Sequence, residues 1–118
     1  MFEVTLVVVP PGGGEADYSL RMTVPALPRE GDYLTVLRKD AAGKDREFPG
    51  TEDFIVRRVW WTFEFPDDGE IYHVAGEDPV GQVGQIGIEC EYAIGPYSSQ
   101  THKRDSGPDA RTFEASAY

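Results

Sequence analysis

Thirteen glycines and nine prolines divide this chain of 118 residues into short pieces. Within the pieces, apolar residues recur at every second position. A helix needs an apolar stripe at a spacing of three to four residues, sustained over several turns. Glycine opposes it through lost backbone entropy, and proline through its missing N–H. Period-two alternation is instead the pattern of a strand with one face buried. The chain is therefore expected to be all-β.

Residues 2–9 place Phe2, Val4, Leu6 and Val8 on one face of a first strand. Pro10, Pro11 and the glycines 12–14 form a connection, and residues 18–24 follow with Tyr18, Leu20, Met22 and Val24 on one side. The two segments predict an antiparallel hairpin with a wide loop. After the turn at Gly31-Asp32, a strand is expected over residues 33–37, with a tip at Asp40-Ala41-Ala42-Gly43 and a return over 44–48. Residues 49–53 read as a polar connection. Residues 54–65 carry the strongest strand signal and are apolar on both faces, as a central strand covered on both sides would be. A short strand over 71–75 precedes a last one over 86–94. There Ile86, Ile88, Cys90, Tyr92 and Ile94 face the core, with Gly87, Glu89, Glu91 and Ala93 toward solvent.

Five to seven short strands imply a small antiparallel β-barrel or sandwich, best fitted by a partly open SH3-like barrel. Composition changes after Gly95, so residues 1–95 are expected to form the barrel domain and 96–118 a polar C-terminal tail. Tyr97, Phe113 and Tyr118 are its only anchors.

Charge narrows the function. The formal net charge is −10, and all of it falls within residues 1–95, which hold 18 acids and 8 bases against three of each in 96–118. Phosphate backbones reward clustered Lys and Arg, so direct nucleic-acid binding is not expected. The acids concentrate in segments expected to be loops: Glu52-Asp53, Asp67-Asp68-Gly69-Glu70 and Glu77-Asp78. No apolar run approaches the ~18 residues of a membrane-spanning helix, and no membrane partner is expected. The N-terminal residues lack the basic segment and cleavage site of a signal peptide, so a cytoplasmic location is expected. Cys90 is the single cysteine, which excludes an intramolecular disulfide and a cysteine-rich zinc site.

Motifs for chemistry are sparse. The glycines at 81, 84 and 87 lead into a strand rather than a helix and lack a following Lys, so they read as a glycine-rich turn or bulge and not as a phosphate loop. The Asp67-Asp68-Gly69 step lacks the alternating ligands of a calcium loop. No nucleophile elbow occurs, and His73 and His102 are isolated. Neither an enzyme nor a cofactor is expected. The most informative cluster is Arg57-Arg58 beside Trp60-Trp61. Strict alternation would put Arg57 with Trp61 on one face and Arg58 with Trp60 on the other, each pair open to a cation–π contact or a stacking platform. The competing reading places one tryptophan in the core and pairs each arginine with an acid.

The middle of the chain resembles short bacterial and phage proteins of uncharacterised function. These carry a leucine-proline, two-residue, glycine-aspartate turn followed by a strand of the form valine, two residues, valine, any residue, tryptophan. The matching residues are Leu27-Pro28-Arg29-Glu30-Gly31-Asp32 and Val56-Arg57-Arg58-Val59-Trp60-Trp61. The resemblance implies a small β-barrel and no particular activity.

The leading expectation is a non-catalytic, acidic interaction module. Its contact residues would be Arg57, Arg58, Trp60, Trp61, Asp67, Asp68 and Glu70, and its partner a protein with a basic surface. One form is an inhibitor that mimics nucleic-acid charge. The alternatives are a protein that sequesters a nucleotide-like ligand, or a structural subunit, including a homo-oligomer, that binds through strand edges.

Overall fold

The computed structural model describes residues 1–47, 49–66 and 80–114. Six strands form one curled sheet, a half-barrel. The strands are β1 (Phe2–Val9), β2 (Tyr18–Val24), β3 (Tyr33–Leu37), β4 (Thr51–Glu64), β5 (Gln82–Ile94) and β6 (Arg111–Thr112); a helix, α1 (Gln100–Ser106), lies between the last two. The path across the sheet is β2-β1-β5-β4-β3, with β6 beside β5. β1 and β2 form the expected antiparallel hairpin, in register from Phe2↔Val24 to Val8↔Tyr18. β3, β4 and β5 form a second antiparallel unit.

The two units join through β1 and β5, which run parallel from Thr5↔Gly87 to Val9↔Glu91. β6 also pairs with β5 in parallel. The sheet is thus mixed rather than purely antiparallel. Parallel neighbours need a long connection between them, and everything between β1 and β5 supplies it.

The inner face carries the core. Val4, Leu6, Val8, Phe54, Val56, Ile86, Ile88, Cys90 and Tyr92 are buried together, with Leu20, Met22, Leu34, Val36 and Val59 packed against them. At one end the curl brings the two edges of the sheet together. Tyr18 Oη, on β2, donates to Glu52 Oε2 on β4 at 2.5 Å. Arg38 Nε, just past β3, donates to Glu52 Oε1 at 2.5 Å, and its guanidinium lies over the Tyr18 ring.

Four expectations change. Residues 51–53 belong to β4 rather than to a polar loop, and Glu52 and Asp53 are buried, so they are not part of an acidic surface. The 44–48 return holds a single bridge, Lys39↔Asp45, and no strand among its described residues. On β5, Glu91 and Ala93 are buried although they alternate away from the core. Residues 96–114 contain α1, capped by Ser99 Oγ accepting from His102 N and ended at Gly107. α1 docks by inserting His102, whose Nε2 lies 2.7 Å from Ala93 O and 3.1 Å from Asp53 N. Ser98 Oγ adds a bond of 2.5 Å to Asp53 Oδ2, and Phe113 stacks on Tyr33. Of the other expected anchors, Tyr97 is exposed and Tyr118 lies outside the described residues, as does the strand expected over 71–75.

Candidate functional site

The site begins with a change of phase in β4. Val56 pairs with Cys90 and Arg58 with Glu89, leaving Arg57 as an extra, bulged residue. Continued alternation from Phe54 and Val56 would drive Arg58 into the core. The bulge keeps both arginines outside and brings Val59, opposite Ile88, and Trp61, opposite Ile86, onto the inner face. Arg57 and Trp61 therefore lie on opposite faces, contrary to strict alternation, while Arg58 and Trp60 share the outer one. A second irregularity falls at Gly84, where Thr62 pairs with Gln85 and Phe63 with Val83. The glycine-rich segment thus enters its strand through a bulge, as expected.

On the outer face the arginines are engaged by acids. Arg57 Nε lies 3.1 Å from Glu89 Oε2 and its Nη1 3.5 Å from Glu91 Oε1. Arg58 Nε is 3.1 Å from the same Glu89 oxygen, and Arg111 Nη2 is 2.8 Å from Glu91 Oε1. Gly12 N adds a bond of 2.9 Å to Glu91 Oε2. The next residue, Gly13, has φ of +100°, and a Cβ there would stand 2.9 Å from Arg57 Nη2, so only glycine lets this loop cover the guanidinium. Among the described residues the cation–π contact is Arg38 over Tyr18; neither tryptophan receives one. Trp60 instead lies against the bare backbone of Gly87, where a Cβ would come within 2.7 Å of the indole. A recess of about 510 Å³ borders Arg57, Arg58 and Arg111, but Glu30 and Glu91 line it as well. With Glu89 counted, three guanidinium groups meet three carboxylates, leaving no surplus charge to reward a phosphate.

Past Gly87, β4 and β5 continue as a ribbon without flanking strands among the described residues. β3 stops at Tyr33↔Ile55, and the backbone of Gly31 and Asp32 takes up Val56. β1 leaves β5 at Thr5↔Gly87. Residues 57–64 of β4 and 82–86 of β5 thus have only each other as strand partners among the described residues. The inner face is still apolar there: Trp61 stacks on Phe63 with centroids 6.1 Å apart and meets Phe2 edge-on at 6.4 Å. Phe2, Leu27 and Pro28 reach its near end at Val59 and Trp61, and beyond Trp61 nothing described covers it. Phe63 is 67% exposed, Phe65 62%, and Trp60 and Trp61 each about two fifths. This end of β4 is therefore not the covered central strand that its composition suggests.

Among the residues expected in the site, Trp60 and Trp61 lie on the ribbon, Arg57 and Arg58 at its base, and Asp67, Asp68 and Glu70 outside the described residues. Phe63 and Phe65 were missed. Cys90 is fully buried, and burial together with the nearby Glu89 and Glu52 carboxylates pushes its thiol up to about 12. It is a protonated core residue at neutral pH. No group of three metal-ligating side chains occurs among the described residues, and no described helix is long and apolar enough to cross a membrane. Comparison with protein families, with curated proteins and with solved structures gives no match.

Proposed function

We propose that this protein is a non-catalytic interaction module of the cytoplasm that docks a basic partner protein through the distal β4–β5 ribbon. The observation that carries the reading is the continuation of the core face past the cover that the described residues give it, with Trp61 stacked on an exposed Phe63 and Phe65 exposed beyond them. A two-stranded ribbon is marginal in water, and stability ordinarily needs a third strand or a packed face. Contiguous exposed aromatics mark contact surfaces. Covering Phe63 and Phe65 alone would remove on the order of 250 Å² of apolar surface, about 6 kcal/mol of gross driving force before the costs of association. The net charge of −10 supports a basic partner through faster encounter. It supports charge mimicry less directly, because Glu52 and Asp53 are buried. The balanced arginine cluster argues against nucleotide sequestration.

A second reading, a structural subunit, draws on the two edges of the same ribbon, which no described strand pairs. The test uses a variant carrying Phe63→Ser and Phe65→Ser. Both side chains are exposed, so stability should stay within about 0.5 kcal/mol of the parent. A basic protein captured by the parent and then purified should bind it in titrations followed by tryptophan fluorescence, and should lose the variant. Binding that survives both substitutions refutes the docking surface. A concentration-dependent dimer by light scattering that the same substitutions dissolve selects the subunit reading.

A further inference from the structure

The β1-side edge of β5 is occupied from Gly87 onward. β1 takes it from Gly87 to Glu91, and β6 takes it at Ala93 and Ile94. Over residues 82–86 no described strand takes it. β1 itself continues back to Phe2, but there it pairs only with β2, through Phe2↔Val24, Glu3↔Thr23 and Val4↔Met22. Two strand edges therefore diverge, each hydrogen-bonded on its far side and, among the described residues, open on its near side. Between them lies a cleft of about 720 Å³, within the range of built binding sites.

We infer that this cleft receives an extended segment of the basic partner, added as a strand between β1 and β5. The inference rests on the interaction-module reading and names how the partner is held. The lining sets the segment's chemistry. Toward the inner face stand Phe2, Val4, Val83 and Ile86, so every second side chain of the segment is apolar. Toward the outer face stand Glu3, ion-paired to Arg21, and Glu64, which has no ion pair among the described residues, so one carboxylate is in surplus. The side chain set against Glu64 is therefore Lys or Arg. Main-chain bonds to two edges supply affinity, and the alternation supplies selectivity. The open stretch of β5 limits the added strand to about five residues, roughly 17 Å.

The probes are synthetic peptides of about nine residues, long enough to span the open edge. One alternates Val and Lys, one has the same composition scrambled, and one alternates Val and Glu. With the Val/Lys peptide bound to the full chain, the cleft-facing amides of residues 82–86 should exchange with solvent about tenfold or more slowly. The scrambled and acidic peptides should leave them unchanged. Glu3→Lys combined with Glu64→Lys, both at exposed positions, should weaken the Val/Lys peptide about fivefold or more while leaving the melting curve in place. Equal binding of the scrambled peptide, protection confined to the β2 or β3 edge, or no binding near 1 mM would overturn the inference. A peptide failure combined with loss of the partner by the Phe63/Phe65 variant refutes the strand slot and leaves the docking ribbon standing. A peptide that binds while that variant keeps its partner refutes the ribbon instead.

Discussion

Deleting Arg57 is the most direct test of why β4 bulges. With that residue removed, Val56 is followed by Arg58, then Val59, Trp60 and Trp61. Strict alternation then places Phe54, Val56, Val59, Trp61 and Phe63 inside and Arg58 and Trp60 outside. The cross-strand pairs of the intact protein, Val56↔Cys90, Arg58↔Glu89 and Val59↔Ile88, all survive unchanged. The cost should therefore be close to that of Arg57→Ala, which keeps the bulge and removes only the guanidinium. That loss takes one cation from Glu89, which keeps Arg58 at 3.1 Å, and one from Glu91, which keeps Arg111 at 2.8 Å and the Gly12 amide at 2.9 Å. A charged hydrogen bond contributes about 1.5–3 kcal/mol, and a side chain one quarter exposed falls at the lower end, so Arg57→Ala should cost about 1–2 kcal/mol. The deletion should match it within about 1 kcal/mol. Urea unfolding at pH 7, followed by tryptophan fluorescence, gives both values, with the slope m expected to stay constant. If the inner face were fixed by something other than this phase, deletion would turn Arg58 into the core, and an unpaired buried charge costs about 3–5 kcal/mol. A deletion variant more than about 3 kcal/mol below Arg57→Ala, or one lacking a cooperative transition, refutes the reasoning.

Two further expectations concern the closed end and the core. Tyr18→Phe removes the hydroxyl that reaches buried Glu52 and should cost about 1.5–3 kcal/mol; a double-mutant cycle with Glu52→Gln should show coupling, and additivity would mean that this contact does not close the barrel. Stability should also fall on the alkaline side. The unfolded Cys90 thiol titrates at 9.0 and the folded one at about 12, so above pH 9 only the unfolded chain gives up its proton. The folded state then loses about 1.4 kcal/mol per pH unit for this group up to pH 12. Tyr18 and Tyr92 act in the same direction above pH 10, both raised by burial first and then by the Glu52 and Asp17 carboxylates. Urea unfolding between pH 8 and 11 should show the decline, shallower in Cys90→Ala; an unchanged slope in that variant would place the titration elsewhere.

Much of the sheet was legible because alternation is a local property. The limits of β1, β2 and β3 follow from the pattern within each segment and its bounding turns. The parallel join of β1 to β5 was not legible, since it depends on a meeting of two units far apart in sequence. α1 escaped for the opposite reason: seven residues carry too few apolar positions to show a period. Its ends were nevertheless written in the chain, with Ser99 as a capping residue and Gly107-Pro108 as a stop. What holds it is the insertion of His102 between Phe54, Tyr92 and the β4–β5 backbone, and a lone histidine in a polar segment carries no such signal.

The ribbon was legible in a different way. The apolar set in β4 runs through the even positions Phe54 and Val56 and then the odd positions Val59, Trp61 and Phe63. Such a switch of phase requires one extra residue, and the two adjacent arginines are where it falls. Composition suggested a covered central strand because aromatic residues on both faces usually mean neighbours on both sides. Strand length argued otherwise. β4, with 14 residues, borders β3, with five, and its partner β5, with 13, borders β1, with eight, so the β4–β5 pair must overhang the strands on either side of it. Among the described residues no neighbouring strand is long enough to cover the apolar face of that overhang, and its exposed aromatic residues, Phe63 and Phe65 above all, are what the proposed docking surface accounts for.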